Sequence, residues 1–447
     1  MSLTISRILH AGYVFACAGT RIAFDPIFEN PFSRNCHAYP GVAFDRDSIR
    51  QLRFDAVFIS HYHDDHCSME SLDLLARDTP IYLYCIHDAM FALIRQLGFT
   101  DVHALRTNLA IDVGNISVTP VEAFDADVDA IFHIRAAGLN VLNVVDAWIG
   151  DEVLDILAKI AWDMVLWPFQ TMREIDVLAP AMAVPAERQS PPELMAQLAM
   201  LRPRYVVPSS CQFIQEPWSW YRLAYFPISY RQFEADVAAH VPGTQVLRMN
   251  PSVSFVLDAV GVQPAAPLAW VLPVGEQQVD YAYEASVAAP ATASIARNFP
   301  PLAAAQSAQV LNYCETGLLQ RYPTLELPEE SYFGIARHWQ LSVYDDEGVA
   351  THWYYRVQGD TLARADAGPA LPAWRTEVPA AKLYAALALG ETLSSMYLRI
   401  NDGALDPQTA AERAEADVMD DPLIRCLFTD VFGAYQAAQL RRLAAQA

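Results

Sequence analysis

The amino-acid sequence predicts an α/β domain built on a layered sheet, followed by a smaller α+β domain. Three observations predict it. The chain has 447 residues, which at roughly 100–200 residues per domain means two or three domains. Hydrophobic residues make up 53% and charged residues 18%, enough for sizeable cores and too apolar for disorder. Up to residue 260 short β-rich runs alternate with helical stretches, the signature of α/β layering, and beyond it the composition changes.

In chain order, the runs 20–24, 54–60, 80–84, 116–121, 139–145, 164–167 and 205–207 predict strands, and several are continuously apolar, as strands buried on both faces are. Between them, Ser68 predicts an N-cap for a helix over 69–77, and Gly98 closes a helix over 88–97. Ser190-Pro-Pro-Glu193 reads as a capping box opening a helix over 191–201. Pro264, Pro267 and Pro273, with little periodicity around them, mark a linker over 261–285 between domains at 1–260 and 286–447. In the second domain, runs at 340–344 and 352–357 predict a strand pair around Asp345–Gly348. A helix over 380–389 closes at Gly390, Asp406-Pro407 caps another, and 422–444 is apolar enough for a last one. No repeat of 20–50 residues is present.

Composition excludes several function classes. The formal charge is −22, the acidic excess runs along the whole chain, and only Lys159 and Lys382 are lysines. Nucleic acid and anionic membrane are therefore excluded as main partners. No segment approaches the roughly 18 apolar residues of a membrane helix, and the N-terminus lacks a secretion signal, so a soluble, cytoplasmic protein is expected. Seven scattered cysteines with no C-x-x-C pair argue for reduced thiols and against zinc ribbons. Neither G-x-G-x-x-G nor a P-loop occurs, and Ser209-Ser210 lacks the context of a serine nucleophile.

The informative segment is Phe54-Asp-Ala-Val-Phe-Ile-Ser-His61-Tyr-His63-Asp-Asp65-His66, where three of the 11 histidines fall within six residues. Set at the end of an apolar strand, such a turn points His61 and His63 at one metal and Asp65 and His66 towards a second. Borderline divalent metals take this mixture of nitrogen and oxygen donors.

Here the sequence resembles the metallo-β-lactamase superfamily, whose signature is H-x-H-x-D-H after a strand. Ile8-Leu-His10-Ala-Gly…Asp25-Pro26 is similar to the opening of its lactonase-like branch. The resemblance covers about residues 5–258 and implies an αββα sandwich with the metals at one edge. It also implies that Asp146, ending the strand Val141-Leu-Asn-Val-Val-Asp146, bridges the two metals. Two of the family's histidines are missing. After the strand at 116–121 stands Val121-Glu-Ala-Phe-Asp125-Ala-Asp127-Val-Asp129, where Asp125 is the best-placed substitute, with Asp127 and Glu122 behind it. His133 reads as structural. At the family's last histidine stands Pro208-Ser-Ser210-Cys211, leaving Cys211, Ser210 or solvent as the ligand, or a buried thiol at Cys211.

The resemblance thus implies two divalent ions. His61, His63, Asp125 and Asp146 hold the first; Asp65, His66 and Asp146, with Cys211 as a further candidate, hold the second. Zinc comes first, and the exchange of imidazole for carboxylate leaves iron or manganese open. The implied chemistry is hydrolysis of an ester, lactone or phosphoester of a small-molecule substrate by a metal-activated water, with Asp65 as the catalytic residue orienting it and Asp25 supporting the ligands. Two alternatives stay open. Residues 60–66 and 142–146 also look like the lactamase-like domain of CMP-N-acetylneuraminate hydroxylases, and a diiron β-hydroxylase shares the fold, so a diiron oxygenase is one; lacking the second half of a Rieske motif, it needs an external electron donor. The other is a degenerate ligand-binding scaffold. The C-terminal part weakly resembles sterol-carrier-protein type 2 modules, and a lid or dimerisation domain fits equally, which leaves homo-oligomerisation open. The aromatic stretch 213–233 is read either as the wall of an apolar pocket or as core.

Overall fold

The computed structural model describes residues 2–273, 279–328 and 330–446. Among these the chain forms two compact units, the first drawn from 1–172, 186–284 and 439–447, the second from 173–185 and 285–438. No helix of the described residues is long and apolar enough to cross a membrane.

The first unit is built on two sheets. The eight-stranded sheet runs, from one edge, Val262–Ala265, Ser254–Leu257, Leu3–Arg7, Tyr13–Cys17, Thr20–Phe24, Ala56–Ile59, Ile81–Leu83 and Val102–Ala104. The seven-stranded sheet runs Gln245–Val246, Tyr205–Ser209, Met164–Pro168, Leu139–Asn143, Ala130–Ala136, Ile116–Glu122 and Ile111–Val113. Phe15, Phe24 and Phe58 of the first sheet share one buried cluster with Val118, Phe132 and Leu166 of the second, and the Phe24 and Phe132 rings meet edge to face at 5.0 Å. Ala56–Ile59 and Met164–Pro168 are buried at every position, so their outward faces are covered too. The architecture is the mixed α/β sandwich expected from the sequence.

Strand direction decides where the chemistry sits. Thr20–Phe24 and Ala56–Ile59 are parallel, and Tyr13–Cys17 is antiparallel to both Leu3–Arg7 and Thr20–Phe24. The turn after Arg7, Asp25 and the segment from Ser60 onwards therefore emerge at one edge. In the other sheet, Leu139–Asn143 runs parallel to Met164–Pro168 and antiparallel to Ala130–Ala136, which brings Asp129 and the residues after Asn143 to one edge as well.

Several expectations need correction. Residues 261–285 do not run as a plain linker. Asp258 Oδ1 accepts from the Val260 and Gly261 amides at 2.8 and 2.9 Å, turning the chain back so that Val262–Ala265 pairs with Ser254–Leu257. Pro264 is tolerated because this is an edge strand. Val271–Leu272 pairs with Ala43–Phe44, while 274–278 of that stretch lie outside the described residues. The 286–447 boundary also shifts, because 173–185 joins the second unit and 439–447 the first. The helix after Ser68 does form with the expected side-chain cap but spans only Met69–Leu72; the Arg77 guanidinium, donating to the carbonyls of Leu72, Asp73 and Leu75, satisfies the chain that follows. No capping box forms at Ser190, since the helix begins at Pro192 with Pro191 as its N-cap and the Ser190 amide donates to Asp236 instead. The last helix is broken into Pro422–Phe428 and Ala434–Gln446, with left-handed Asp430 and Gly433 between them.

The second unit carries a five-stranded sheet in the order Thr361–Ala365, Ala350–Gln358, Arg337–Tyr344, Trp374–Pro379 and Arg399–Ile400. The hairpin at Asp345–Gly348 forms as expected, with Asp345 Oδ1 accepting from the Glu347 and Val349 amides. Behind the sheet, fully buried Asp421 accepts from Trp374 Nε1 at 2.7 Å, from the Thr376 hydroxyl, and from the Leu423 and Ile424 amides. Removing it strands four donors, so Asp421→Ala should lower stability to chemical denaturation by about 3 kcal/mol; a loss below about 1 kcal/mol would show that water replaces the carboxylate.

Candidate metal centre

Where the two sheet edges meet, the chain assembles two groups of potential ligands. His10, Asp65, His66 and Asp146 each offer one donor atom, all within 4.8 Å of one another, and so do His61, Asp129 and Asp146. Asp146 belongs to both. Its Oδ2 lies 3.1 Å from His66 Nε2, and that nitrogen is 3.2 Å from His10 Nε2. His10 Nε2 is 3.1 Å from Asp65 Oδ2, and His61 Nδ1 is 3.4 Å from Asp129 Oδ1. The three imidazoles are buried, while the Asp65, Asp129 and Asp146 side chains keep about a fifth of their surface in solvent. The site is closed behind and open in front.

Each side chain is aimed by a local device. Asp25, fully buried at the end of its strand, accepts from the Ser60 amide and hydroxyl at 2.7 Å each and lies 3.0 Å from His66 Nδ1. It fixes the start of the His61–His66 turn and the orientation of His66 together. His10 sits in a tight turn in which the Gly12 amide donates to the Leu9 carbonyl at 2.7 Å. A Cβ on Gly12 would lie 2.8 Å from the Asp25 carbonyl oxygen, so only glycine lets the two turns touch. Asp146 follows Val145, whose φ is 63°, a strained conformation for a β-branched residue; Asn143 Oδ1 steadies it by accepting from the Val145 amide at 3.2 Å. His10, Asp25, Ser210 and Cys211 also have left-handed backbones. Such a concentration marks a functional site.

Beneath the site lies Arg7, fully buried. Its guanidinium donates to the Tyr13 hydroxyl, the His10 carbonyl and, at 3.1 Å, the Pro208 carbonyl, and Tyr13 donates onward to Ser209 Oγ at 2.9 Å. The His10 turn in one sheet is thereby tied to the end of Tyr205–Ser209 in the other.

The structure rearranges the ligand set implied by the sequence. His61, Asp65, His66 and Asp146 all stand at this edge, divided between the two groups. Asp125 and Asp127 are exposed and belong to neither group, and Asp129 stands beside His61 instead. The Asp125 carbonyl accepts from the Val128 and Asp129 amides at 3.1 and 2.9 Å, so the loop coils on itself. Only its last acid, next to Ala130 opposite Glu122 in the hairpin register, reaches the edge. His63 also lies outside both groups, exposed, with its ring edge-on to His61 at a centroid distance of 4.4 Å. Cys211 is buried outside both groups, where burial pushes its thiol well up, and Ser210 donates to the Ser209 carbonyl. His10, which lies in the motif that carried the resemblance but was not among the expected ligands, stands in the group with Asp65, His66 and Asp146. His133 pairs with Asn140 Oδ1 at 2.9 Å and packs on Trp162, a structural position. Of the aromatic stretch, Trp220, Tyr221, Tyr225, Phe226 and Phe233 are buried, so it is mainly core, and Phe213 packs on His10 at 5.8 Å.

Electrostatics show what the cluster lacks. Burial works against charge on both Asp146 and His66, yet each holds the other ionised: the imidazoles of His66 and His61 keep Asp146 well below the ordinary carboxylate range, while Asp146 and Asp65 raise His66 well above an ordinary histidine. Asp129, half-buried and facing Asp146, is pushed up to about 7 by lost solvation and by that carboxylate. Buried Asp146 Oδ1 has no hydrogen-bond partner among the described residues, and neither has His10 Nδ1. A carboxylate oxygen left bare among further carboxylates and imidazoles suits a divalent cation, and the donor set fits one.

Residues 4–210 match the family model of the β-lactamase superfamily domain. Cytidine monophosphate-N-acetylneuraminic acid hydroxylase of Danio rerio is 26% identical over 167 residues, covering 32% of this chain and 26% of the relative; the chain thus spans about a quarter of that protein's length. Among solved structures, a metallo hydrolase from the archaeon Ignicoccus hospitalis is similar at 16% identity and a TM-score of 0.40, covering 58% of this chain and 99% of its own. The diiron β-hydroxylase of Streptomyces venezuelae is similar at 18% identity and a TM-score of 0.39, covering 57% and 54%.

Two predictions follow from the ligand geometry. In elemental analysis, Asp129→Ala should lower metal content by about one ion per chain, with Asp125→Ala and Asp127→Ala near wild type; a damaging Asp125→Ala with a silent Asp129→Ala would restore the reading from sequence. Metal binding must also expel the protons that raised His66 and Asp129 hold near and below pH 7. Affinity should therefore climb from pH 6 to pH 8, and calorimetry in buffers of different ionisation enthalpy should show net proton release at pH 6. Equal affinity at both pH values is the contrary result.

Proposed function

We propose that this protein, whose residues 4–210 match the β-lactamase superfamily domain, is a metal-dependent hydrolase acting on an ester or lactone of a small-molecule substrate. The observation that carries the reading is the sharing of Asp146 between two ligand groups that are buried behind and open to solvent in front. Divalent ions held there supply Lewis acidity and a water activated at neutral pH. The protein's own part is to hold the donors and shape the approach. His10, Asp65, His66 and Asp146 would hold one ion, and His61, Asp129 and Asp146 would hold another, with His63 beside His61 at the opening. Asp65 keeps a partly exposed carboxylate next to His10 and His66, placed to accept a hydrogen bond from the attacking water and so to orient its lone pair. Asp25 and Ser60 hold the imidazole of His66 so that these positions do not drift.

A second reading, a non-haem diiron oxygenase fed by an external electron donor, draws on one observation. Three carboxylates and three imidazoles make a harder donor set than histidine-rich zinc sites have. Loading the metal-free protein with zinc, manganese or iron and assaying esters, lactones and phosphodiesters without oxygen separates the two. We expect ester or lactone cleavage that falls at least about a hundredfold in His61→Ala with His63→Ala. Rapid oxygen uptake by the chemically reduced iron form, with no hydrolysis under any metal, would put the oxygenase first.

A further inference from the structure

Three large apolar side chains stand in solvent around the metal-bearing edge. Ile86 is 58% exposed, Phe124 76% and Trp148 46%. Soluble proteins rarely leave such residues grouped without use. The three lie on separate loops that the structure stitches together. The Phe124 amide donates to the Trp148 carbonyl at 2.8 Å, and Tyr84, beside Cys85-Ile86, donates its hydroxyl to the Ala126 carbonyl. Each loop also touches the centre. Phe124 opens the coil that ends in Asp129, and Trp148 comes two residues after Asp146. On the Ile86 side a run of ring contacts leads inward, from His87 to Tyr62 at 5.5 Å, Tyr62 to His63 at 5.1 Å, and His63 to His61 at 4.4 Å.

The charge of these loops is one-sided. Segments 60–66, 84–88, 122–129 and 145–152 contain ten acidic residues and no lysine or arginine. A phosphate or carboxylate on the substrate would meet repulsion there, whereas a neutral apolar group would meet aromatic and aliphatic surface. We propose that Ile86, Phe124 and Trp148 form a subsite that takes the apolar acyl or aryl part of an uncharged substrate and disfavours anionic ones. For what is cleaved, this rests on the hydrolase reading; for what is bound, it stands on the loops alone.

The test therefore begins with binding to the metal-free protein, using 1-octanol and octyl phosphate as probes in calorimetry or saturation-transfer NMR. Octanol should bind at least about tenfold more tightly than octyl phosphate, and Phe124→Ser with Trp148→Ser should weaken octanol about tenfold. Both residues are exposed, so the double variant should fold and keep its metal content. In the metal-loaded protein, the preference for p-nitrophenyl octanoate over acetate should shrink about tenfold in the same variant. Unchanged octanol binding in the variant, or tighter binding of octyl phosphate than of octanol, overturns the subsite. If octanol binding falls as expected but no ester is cleaved under any metal, the subsite stands and the hydrolase reading fails. If esters are cleaved with the same chain-length preference in both proteins, the hydrolase stands and the subsite fails.

Discussion

The carboxylate of Asp146 is the constraint around which the first unit is arranged. It is the one group that both ligand sets require, and it must reach across from one sheet to the imidazoles of the other. Two oxygens cannot span that gap unless both sheet edges are level and the strand ends are bent inward. The bending is visible as left-handed backbone at Val145 on one side and at His10 and Asp25 on the other. Each such residue costs on the order of 1–3 kcal/mol, a sum a single unit sustains only if the surrounding core over-determines it. The continuous burial of Ala56–Ile59 and Met164–Pro168 supplies that rigidity, and Arg7, bonded to both edges, keeps them from sliding apart.

The same constraint explains which parts of the site can be read from sequence. His61, Asp65 and His66 are legible because six consecutive residues after an apolar strand fix their own geometry. Asp146 is legible because it closely follows a strand of the second sheet, which ends at Asn143. What the sequence hides is whatever depends on how a turn closes. Asp125 looks right because it lies nearest the strand it follows. Yet the carbonyl of that same residue captures the Val128 and Asp129 amides, and the coil carries the last acid to the edge. His10 is hidden for the same reason, since its place beside Asp65 and His66 depends on how a turn in the first sheet closes. No local pattern encodes a contact between residues 10 and 66. In the fold the layering was readable, while the return of the chain at Asp258 depends on one side chain bonding two amides.

Bringing His10 and Asp129 to the site does more than raise a donor count. Histidine at position 10 makes the inner group a mixed set of two imidazoles and two carboxylates, whereas the outer group of His61, Asp129 and Asp146 has one imidazole and two carboxylates. The two positions are therefore chemically unequal, the inner one better furnished with donors, while the carboxylates of both reach solvent to about the same extent. With one donor fewer, the outer group would leave an ion more of its coordination free for water or substrate, as a catalytic metal needs. This inequality is compatible with hydrolysis and with oxygen chemistry alike, so the protein around the ions has to decide between them.

That decision falls to the loops at the opening. An acidic mouth concentrates divalent cations and repels anions, and it does both before any first contact is made. Metal loading is therefore favoured by the same charges that narrow the range of substrates. Apolar side chains set among those acids resolve what would otherwise be a conflict: a substrate without charge gains nothing from the field and must be held by surface instead. Neutral attraction at the rim and ionic attraction at the ligands then act on different species, and neither weakens the other. A rim of arginine or lysine would have drawn phosphoesters, but it would also have competed with the metals for Asp129 and Asp146. On the proposed reading, holding cations on few histidines and selecting an uncharged substrate would follow from one distribution of charge.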